Sequence, residues 1–288
     1  MPFTSGPALN DFAGLRTLGF EPVGRVTGLA VFRVVQGFAS CTNRPRLNPV
    51  TDEVSQEFER EARRLAVERL RRKCIAAGGD GVIGVGLEVR PFFGEDTLEY
   101  VASGTAVRIC GSQTEPRARP FTAGVGAADF VKLLRAGWMA ASFLVGVAVK
   151  VVHDRATDLE LTSVDNVELT TATKLVRSAR VAARSALAVE AAHVGGHTVI
   201  LDDIELSTFE QTCNATRRED NPSRTWDDPE RGSLEIESED RVALAVMTGT
   251  AIVPLHRPIG PPAGRPLTIM RLDRDRRPAA NVNRRNSP

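Results

Sequence analysis

Apolar positions along the chain switch between two spacings, and the whole succession of spacings occurs twice. Residues 21–35 are valine-rich and extended in pattern, interrupted by Gly28. From Phe58 through Ala62, Leu65, Ala66, Leu70, Cys74 and Ala77 the interval becomes three and four, the stripe of an amphipathic helix. Asn48 and Pro49 supply an N-cap and a first helical position. Gly78 and Gly79 supply the stop, because the left-handed residue after a helix favours glycine. Glu59 with Arg63, and Glu68 with Arg72, stand four apart as favourable pairs on the expected solvent side. Val85, Leu87 and Val89 then alternate with Gly84, Gly86 and Glu88, which predicts a second strand. A turn over 91–96 leads to a third strand over 98–109, with Gly104 and Thr105 as a bend or bulge. The predicted order is β-α-β-β.

That order returns further along the chain. Asp11-Phe12, Gly19 and Gly28 recur 118 residues later as Asp129-Phe130, Gly137 and Gly146. Gly78-Gly79 recurs 117 residues later as Gly195-Gly196, and Gly104-Thr105-Ala106-Val107 recurs 145 later as Gly249-Thr250-Ala251-Ile252. One module is duplicated, and the second copy is longer. In that copy 138–152, 199–206 and 235–254 read as strands. Asp165 and Glu168 resemble a capping box, and Leu169, Leu175, Val176, Ala179, Ala183, Ala186 and Leu187 mark the helix. The extra residues fall near 208–233, a polar stretch with Asn221-Pro222 and Asp228-Pro229 that predicts a long hairpin loop. The chain therefore divides into an N-terminal arm (1–11), module 1 (12–112), a linker (113–128), module 2 (129–256) and a tail (257–288). The tail sets eight arginines against Asp273 and Asp275 without periodicity and is expected to be disordered and basic. The fold class expected is α+β: two tandem β-α-β-β modules, each an antiparallel sheet with one long helix.

Composition narrows the classes. Of 288 residues 42% are apolar and 25% charged, and the net charge is +1. These values suit a globular chain and give no global field toward nucleic acid or membrane, so nucleic-acid contact is expected only through the tail. Lysine occurs at four positions against many arginines, which reads as codon bias. The most apolar stretch, 138–152, is too short for a spanning helix and contains Lys150. Residues 1–11 lack the basic and apolar regions of a signal peptide. Cys41, Cys74, Cys110 and Cys213 are scattered and expected as buried, reduced thiols. A cytoplasmic location is the expectation.

Candidate chemistry is sparse. His193 and His197 stand four apart, a spacing that suits a metal on a continuous helix, but Gly195-Gly196 interrupts them and no third ligand is local. The metal ligands stay unassigned, with a divalent or heavy metal as the open cofactor. The plainer role for His193 is a cation at a helix C-terminus. Among Asp202, Asp203 and Glu205, alternation puts Asp203 and Glu205 on one face, either for a hard cation or acid–base work or as a solvated strand face. The glycines over 78–86 do not spell a phosphate loop and follow a helix instead of opening one. No nucleophile motif is present, and no catalytic or cofactor-binding residue is assigned.

The combination of the glycine-broken first strand (Gly28, Gly146), the long helix, the run from Ala76 to Val85 and the closing Gly104-Thr105-Ala106-Val107 resembles the YbjQ family, which carries a heavy-metal-binding label. The resemblance covers about residues 12–110 and 130–254; His197, Thr198 and Leu201 depart from the pattern in the second copy. It implies a small dodecin-like β-α-β-β unit, ring-forming oligomers that are commonly pentamers, and no attached enzymatic activity. The expectation is a ring-forming homo-oligomeric structural or small-ligand-binding protein, not an enzyme. The alternatives are a heavy-metal-binding protein and an enzyme with an inter-subunit site. Closed assemblies of two-module chains are five chains in two stacked rings, each using one copy, or a single ring with an even number of modules.

Overall fold

The computed structural model describes residues 9–33, 49–93, 97–111, 119–152, 166–217, 234–255 and 269–270. Its elements run α1 (Leu9–Thr17), β1 (Phe20–Arg33), β2 (Val50–Thr51), α2 (Glu53–Ala76), β3 (Gly81–Pro91), β4 (Thr97–Ile109), β5 (Phe121–Thr122), α3 (Ala127–Arg135), β6 (Trp138–Val152), α4 (Thr170–His193), β7 (Thr198–Arg217), β8 (Leu234–Pro254) and β9 (Ile269–Met270). They form an α+β fold with two sheets, ordered β1-β4-β3-β5 and β2-β6-β8-β7-β9. The long strands of both sheets pair antiparallel. No helix among the described residues is long and apolar enough to cross a membrane.

The internal repeat is written into the backbone hydrogen bonds. Gly79 N–H donates to Cys74 O and Gly196 N–H to Ala191 O, each at 2.9 Å. Asp80 N–H donates to Val107 O at 2.8 Å, and His197 N–H to Ile252 O at 2.9 Å. Cys110 N–H donates to Gly19 O, and Leu255 N–H to Gly137 O. The long helices cross their sheets at matching glycines. A Cβ on Gly28 would lie 2.1 Å from Ala66 O, and one on Gly146 would lie 2.3 Å from Ala183 O. Only a residue without a side chain lets the helix backbone come so near the strand.

Each long helix buries its small-residue stripe against its sheet. Ala62, Ala66, Leu70 and Cys74 of α2 pack with Val26, Ala30, Val82 and Tyr100. Leu175, Ala179, Ala183 and Leu187 of α4 pack with Leu144, Ala148, Val199 and Ala251. A third cluster joins the halves: Leu15, Phe20 and Val107 meet Phe121, Phe130, Leu134, Ile200 and Ile252. There Phe121 and Phe130 stack at 5.5 Å, and Phe20 meets Phe130 edge-on at 5.4 Å.

Several elements differ from the sequence expectation. A short helix precedes the first strand of each half, and α1 packs on α3, so the repeated order is α-β-α-β-β. The start of α1 at Leu9 also takes up the end of the expected 1–11 arm. The α2 N-cap is Asp52, not Asn48: its side chain accepts from Ser55 N at 3.2 Å, while Pro49 precedes the short strand β2. Helix α4 begins at Thr170 with Leu169 as its N-cap and no side-chain cap bond; Glu168 is outside the helix, and Asp165 lies outside the described residues. The bulge near Gly104 belongs to the partner strand, between Ile83 and Gly86, where Gly84 takes a φ of +62°.

The expected linker is partly core. Phe121, Thr122, Ala123, Val125 and Ala127 are buried, because this segment adds to β3 as a parallel strand. The expected 208–233 loop is shorter, since β7 continues to Arg217 and pairs there with Leu234; residues 218–233 lie outside the described residues. In the tail, Ile269–Met270 pairs with β7, and the remaining tail positions lie outside the described residues. Glu59 and Arg63 are not on the solvent side. Arg63 is 2% exposed and salt-bridged to Glu59, which also accepts from the Tyr100 hydroxyl at 3.1 Å. The Arg63 guanidinium lies over the Tyr100 ring, which meets Phe32 and Phe58 edge-on. Cys74 is buried as expected, with burial pushing its thiol up to about 11, but Cys110 is exposed; both are free. Cys41 lies outside the described residues, and the side chain of Cys213 is likewise not described.

Candidate functional site

The chemistry of this fold gathers where the two halves meet. Alternation along β6 sends Leu144 and Ala148 toward α4, and sends Phe143 and Val145 to the opposite face, where α2 of the first half packs. The outer edge of β6 receives β2: Val50 pairs with Val151 and Thr51 with Lys150. Asp52 N–H donates to Val149 O at 3.1 Å, Val149 N–H donates to Gln56 Oε1 at 3.3 Å, and Lys150 Nζ donates to Thr51 Oγ1 at 2.6 Å. Helix α2 thus serves its own sheet on one side and the back of the second sheet on the other.

Further along the same edge a cleft of about 220 Å³ opens between α2, residues 142–145 of β6 and the last turns of α4. Arg60, Arg64, Arg71 and Arg119 line it, with Glu68 and Glu190 as the acidic members. Arg60 is held by Glu57 and Arg64 by Glu61, both within the helix. Arg71 is different. Its Nη2 donates to Ser142 Oγ at 2.8 Å and to Thr122 Oγ1 at 3.2 Å, and its buried Nε has no acceptor. Burial lowers the Arg71 guanidinium from its ordinary value, Arg119 adds to the effect, and Glu68 opposes it. Thr122 in turn accepts from Phe143 N at 2.8 Å, so the β5 segment ties the arginine to the edge of β6.

A second polar group lies on the β7 side of the seam. The register of β7 against β8 slips between Leu201 and Asp203, and Asp202 is the extra residue. Its carboxylate accepts from Thr250 Oγ1 at 2.9 Å, and Thr250 Oγ1 accepts from Gly124 N at 2.9 Å. A Cβ on Gly124 would overlap the Asp202 carboxylate. Burial pushes the Asp202 carboxyl up to about 6, the Thr250 hydrogen bond opposes this, and Asp203 adds to it. Val85 occupies the corresponding bulge in the first half. Asp203 and Glu205 remain on an exposed stretch of β7, opposite Thr248 and Val246.

His193 closes the last turn of α4 and Gly195 turns the chain at a φ of +69°, so the pair does not share a helical face. His197 lies 5.4 Å from the Trp138 ring, centroid to centroid. His153 and His256 lie outside the described residues. Among the described residues no three His, Cys, Asp or Glu side chains converge on a position for a metal ion. Sequence reasoning missed Arg71, because helical spacing alone marks it as one more arginine on a charged helix.

Comparison with known proteins gives two similarities. Residues 51–110, spanning α2 to β4, match a family model described as "Putative heavy-metal-binding", the YbjQ type. An encapsulin nanocompartment protein of Mycobacterium tuberculosis is 34% identical over 151 residues, covering 51% of this chain and 56% of the relative. The chain thus spans about half the length of that curated relative.

Proposed function

We propose that this protein is a non-catalytic structural protein whose copies join head to tail into a closed ring with an even number of modules. The observation that carries the reading is an interface made once where the duplication offers it twice. In the first half, α2 and Val50–Thr51 dock on the back and outer edge of β6. In the second half, the counterparts of Val50 and Thr51 are Val167 and Glu168, and neither is in a strand. The counterpart of β6 is β1, which among the described residues has a strand on one side only.

The faces match residue by residue. Where β6 offers Phe143, Val145, Val147, Val149 and Val151, β1 offers Arg25, Thr27, Leu29, Val31 and Arg33. Leu29 is 42% and Val31 41% exposed. On the outer side of α4, Val181 corresponds to Arg64 of α2, is 58% exposed, and borders an open groove with Leu169, Ala172 and Val176. Docking α4 of one copy on β1 of the next repeats the internal contact between chains, with Val167 beside Arg33 and Glu168 beside Phe32. One edge carbonyl, that of Leu29, is taken by Arg69 at 2.5 Å, and the pairing positions at Val31 and Arg33 lie beyond it. A head-to-tail contact of this kind closes into rings in which both modules of a chain are neighbours, which favours the even-module ring over two stacked five-module rings. The similarity to the mycobacterial encapsulin nanocompartment protein, over about half of either chain, supports an assembling role.

Native mass spectrometry of the full chain tests this. One discrete assembly of several 31.1 kDa chains is expected. A monomer at micromolar concentration overturns the proposal. Val181→Glu, on a surface the single chain leaves open, is expected to dissociate the assembly without lowering the melting temperature of the chain.

A further inference from the structure

We propose that the cleft around Arg71 is a binding site for the oxyanion group, phosphate or carboxylate, of a small metabolite. Three observations converge on it. The first is a charge without an ion-pair partner, Glu68 acting on it only from a distance. Arg71 is held by two neutral hydroxyls, and among the described residues no carboxylate lies within ion-pair distance of it. Removing a cation from water is costly unless it is paired and fully hydrogen-bonded. Here one guanidinium nitrogen is both buried and without an acceptor. An oxyanion entering the cleft supplies the missing counter-charge at the guanidinium.

The second observation is the lining. Four arginines, Arg60, Arg64, Arg71 and Arg119, line the cleft against two glutamates, Glu190 and Glu68, and Glu68 is taken by Arg72. A guanidinium presents its N–H groups in a planar fork that matches the oxygens of phosphate or carboxylate. Arg60 and Arg64 add to the positive rim, although each already has a glutamate partner. The cleft, about 220 Å³, is smaller than the roughly 300–1,000 Å³ of drug-sized pockets, and its Phe143 and Val145 wall receives a short apolar or sugar-like body.

The third observation comes from the repeat. If Arg71 were needed for docking a module on its neighbour, the second copy would carry the same cation. The residue 117 positions on is Ala188, and Arg64 is matched by Val181. On the ring reading proposed above, the same helix-on-strand contact forms through α4 without an arginine at this place, and the polar pair Ser142 and Thr122 that holds Arg71 belongs to one seam only. This site would be present once per chain, whatever the number of chains assembled.

The test uses the full-length chain and two probes, inorganic phosphate and succinate, with chloride at matched ionic strength as the reference. Isothermal titration calorimetry on the wild type is expected to show saturable binding of at least one probe at one site per chain. Which probe binds separates a phosphate ligand from a carboxylate one. Arg71→Met keeps much of the apolar stem of the side chain, removes a half-buried charge and is expected to fold in chloride as the wild type does. It should weaken binding at least tenfold. Arg119→Gln, at an exposed position, should weaken it at least threefold and serves as the deciding variant if Arg71→Met fails to fold. No saturable binding of either probe by the wild type overturns the proposal. So does binding that survives undiminished in the variants, because the anion then sits elsewhere.

Discussion

Asp202 shows how one residue at a bulge acquires a property its neighbours lack. Asp202 is exposed as a residue, like Asp203 and Glu205, but as the extra residue of the bulge it sets its carboxylate against Thr250 and Gly124. Burial raises its carboxyl to about 6 against an ordinary 3.8. The folded chain therefore holds this proton more tightly than the unfolded chain does. Stability from this group is full below about pH 4 and is lost as pH rises through about 6. Asp202→Asn is expected to leave the melting temperature unchanged near pH 4 and to raise it at pH 8. Melting curves at both pH values check this, and an equal effect at both would refute it. Glu59 tests the opposite arrangement, since it pairs with the buried Arg63 and accepts from Tyr100. Breaking a buried pair by removing one charge costs about 3–5 kcal/mol, so Glu59→Gln should lose roughly 3 kcal/mol in denaturant unfolding. A loss under about 1 kcal/mol would mean that Arg63 finds water or another partner.

At the level of elements, the helix–strand crossings at Gly28 and Gly146 govern how close α2 and α4 come to their sheets. A methyl at Gly28 would meet three backbone atoms of α2, and backbone does not move aside as a flexible side chain does. Gly28→Ala should therefore cost at least about 2 kcal/mol, the scale of an overpacked core. Gly86→Ala is the control, since a Cβ there has no neighbour within 4 Å. Equal effects of the two substitutions in urea unfolding would remove the close crossing as the reason for the repeated glycine. The short strand β2 belongs to the same scale. Its two residues cover the edge of β6, and the Asp52 cap follows directly, so the strand and the helix start are held as one unit.

The whole molecule repeats α-β-α-β-β, with β5 and the α1–α3 pair as the seam between halves. Its outer faces carry mostly like charges where the ring is proposed to close: Arg25 and Arg33 on β1, and Arg177 and Arg184 on α4, with Glu168 as the acidic exception. Repulsion between exposed charges is screened within about 8–10 Å at physiological salt. Assembly should accordingly strengthen as salt rises from 20 to about 300 mM, the reverse of an interface built on opposite charges. Mass photometry across that range measures it, and dissociation with rising salt would count against docking through these faces.

The sequence by itself determined the repeated pattern, the long helices, their glycine stops and the three long strands of each half. Those features are local: a left-handed position at Gly78 or Gly195, a stripe at helical spacing, an alternating strand. The α1 and α3 helices were legible only as a repeated Asp-Phe pair, because nine residues give too short a period to separate from a loop. Tertiary structure alone decided the rest. Residues 121–127 look like a linker by position, yet they are buried because the edge of β3 accepts another strand. Asp202 looks like part of a solvated acidic run, and a one-residue slip against β8 brings its carboxylate to Thr250 and Gly124 while the residue stays exposed. Arg71 reads as one arginine of many on α2, and it becomes a half-buried cation because Ser142 of β6, from the other half of the chain, takes its guanidinium. Long-range packing chooses each of these surroundings, and no local pattern encodes which distant strand will arrive.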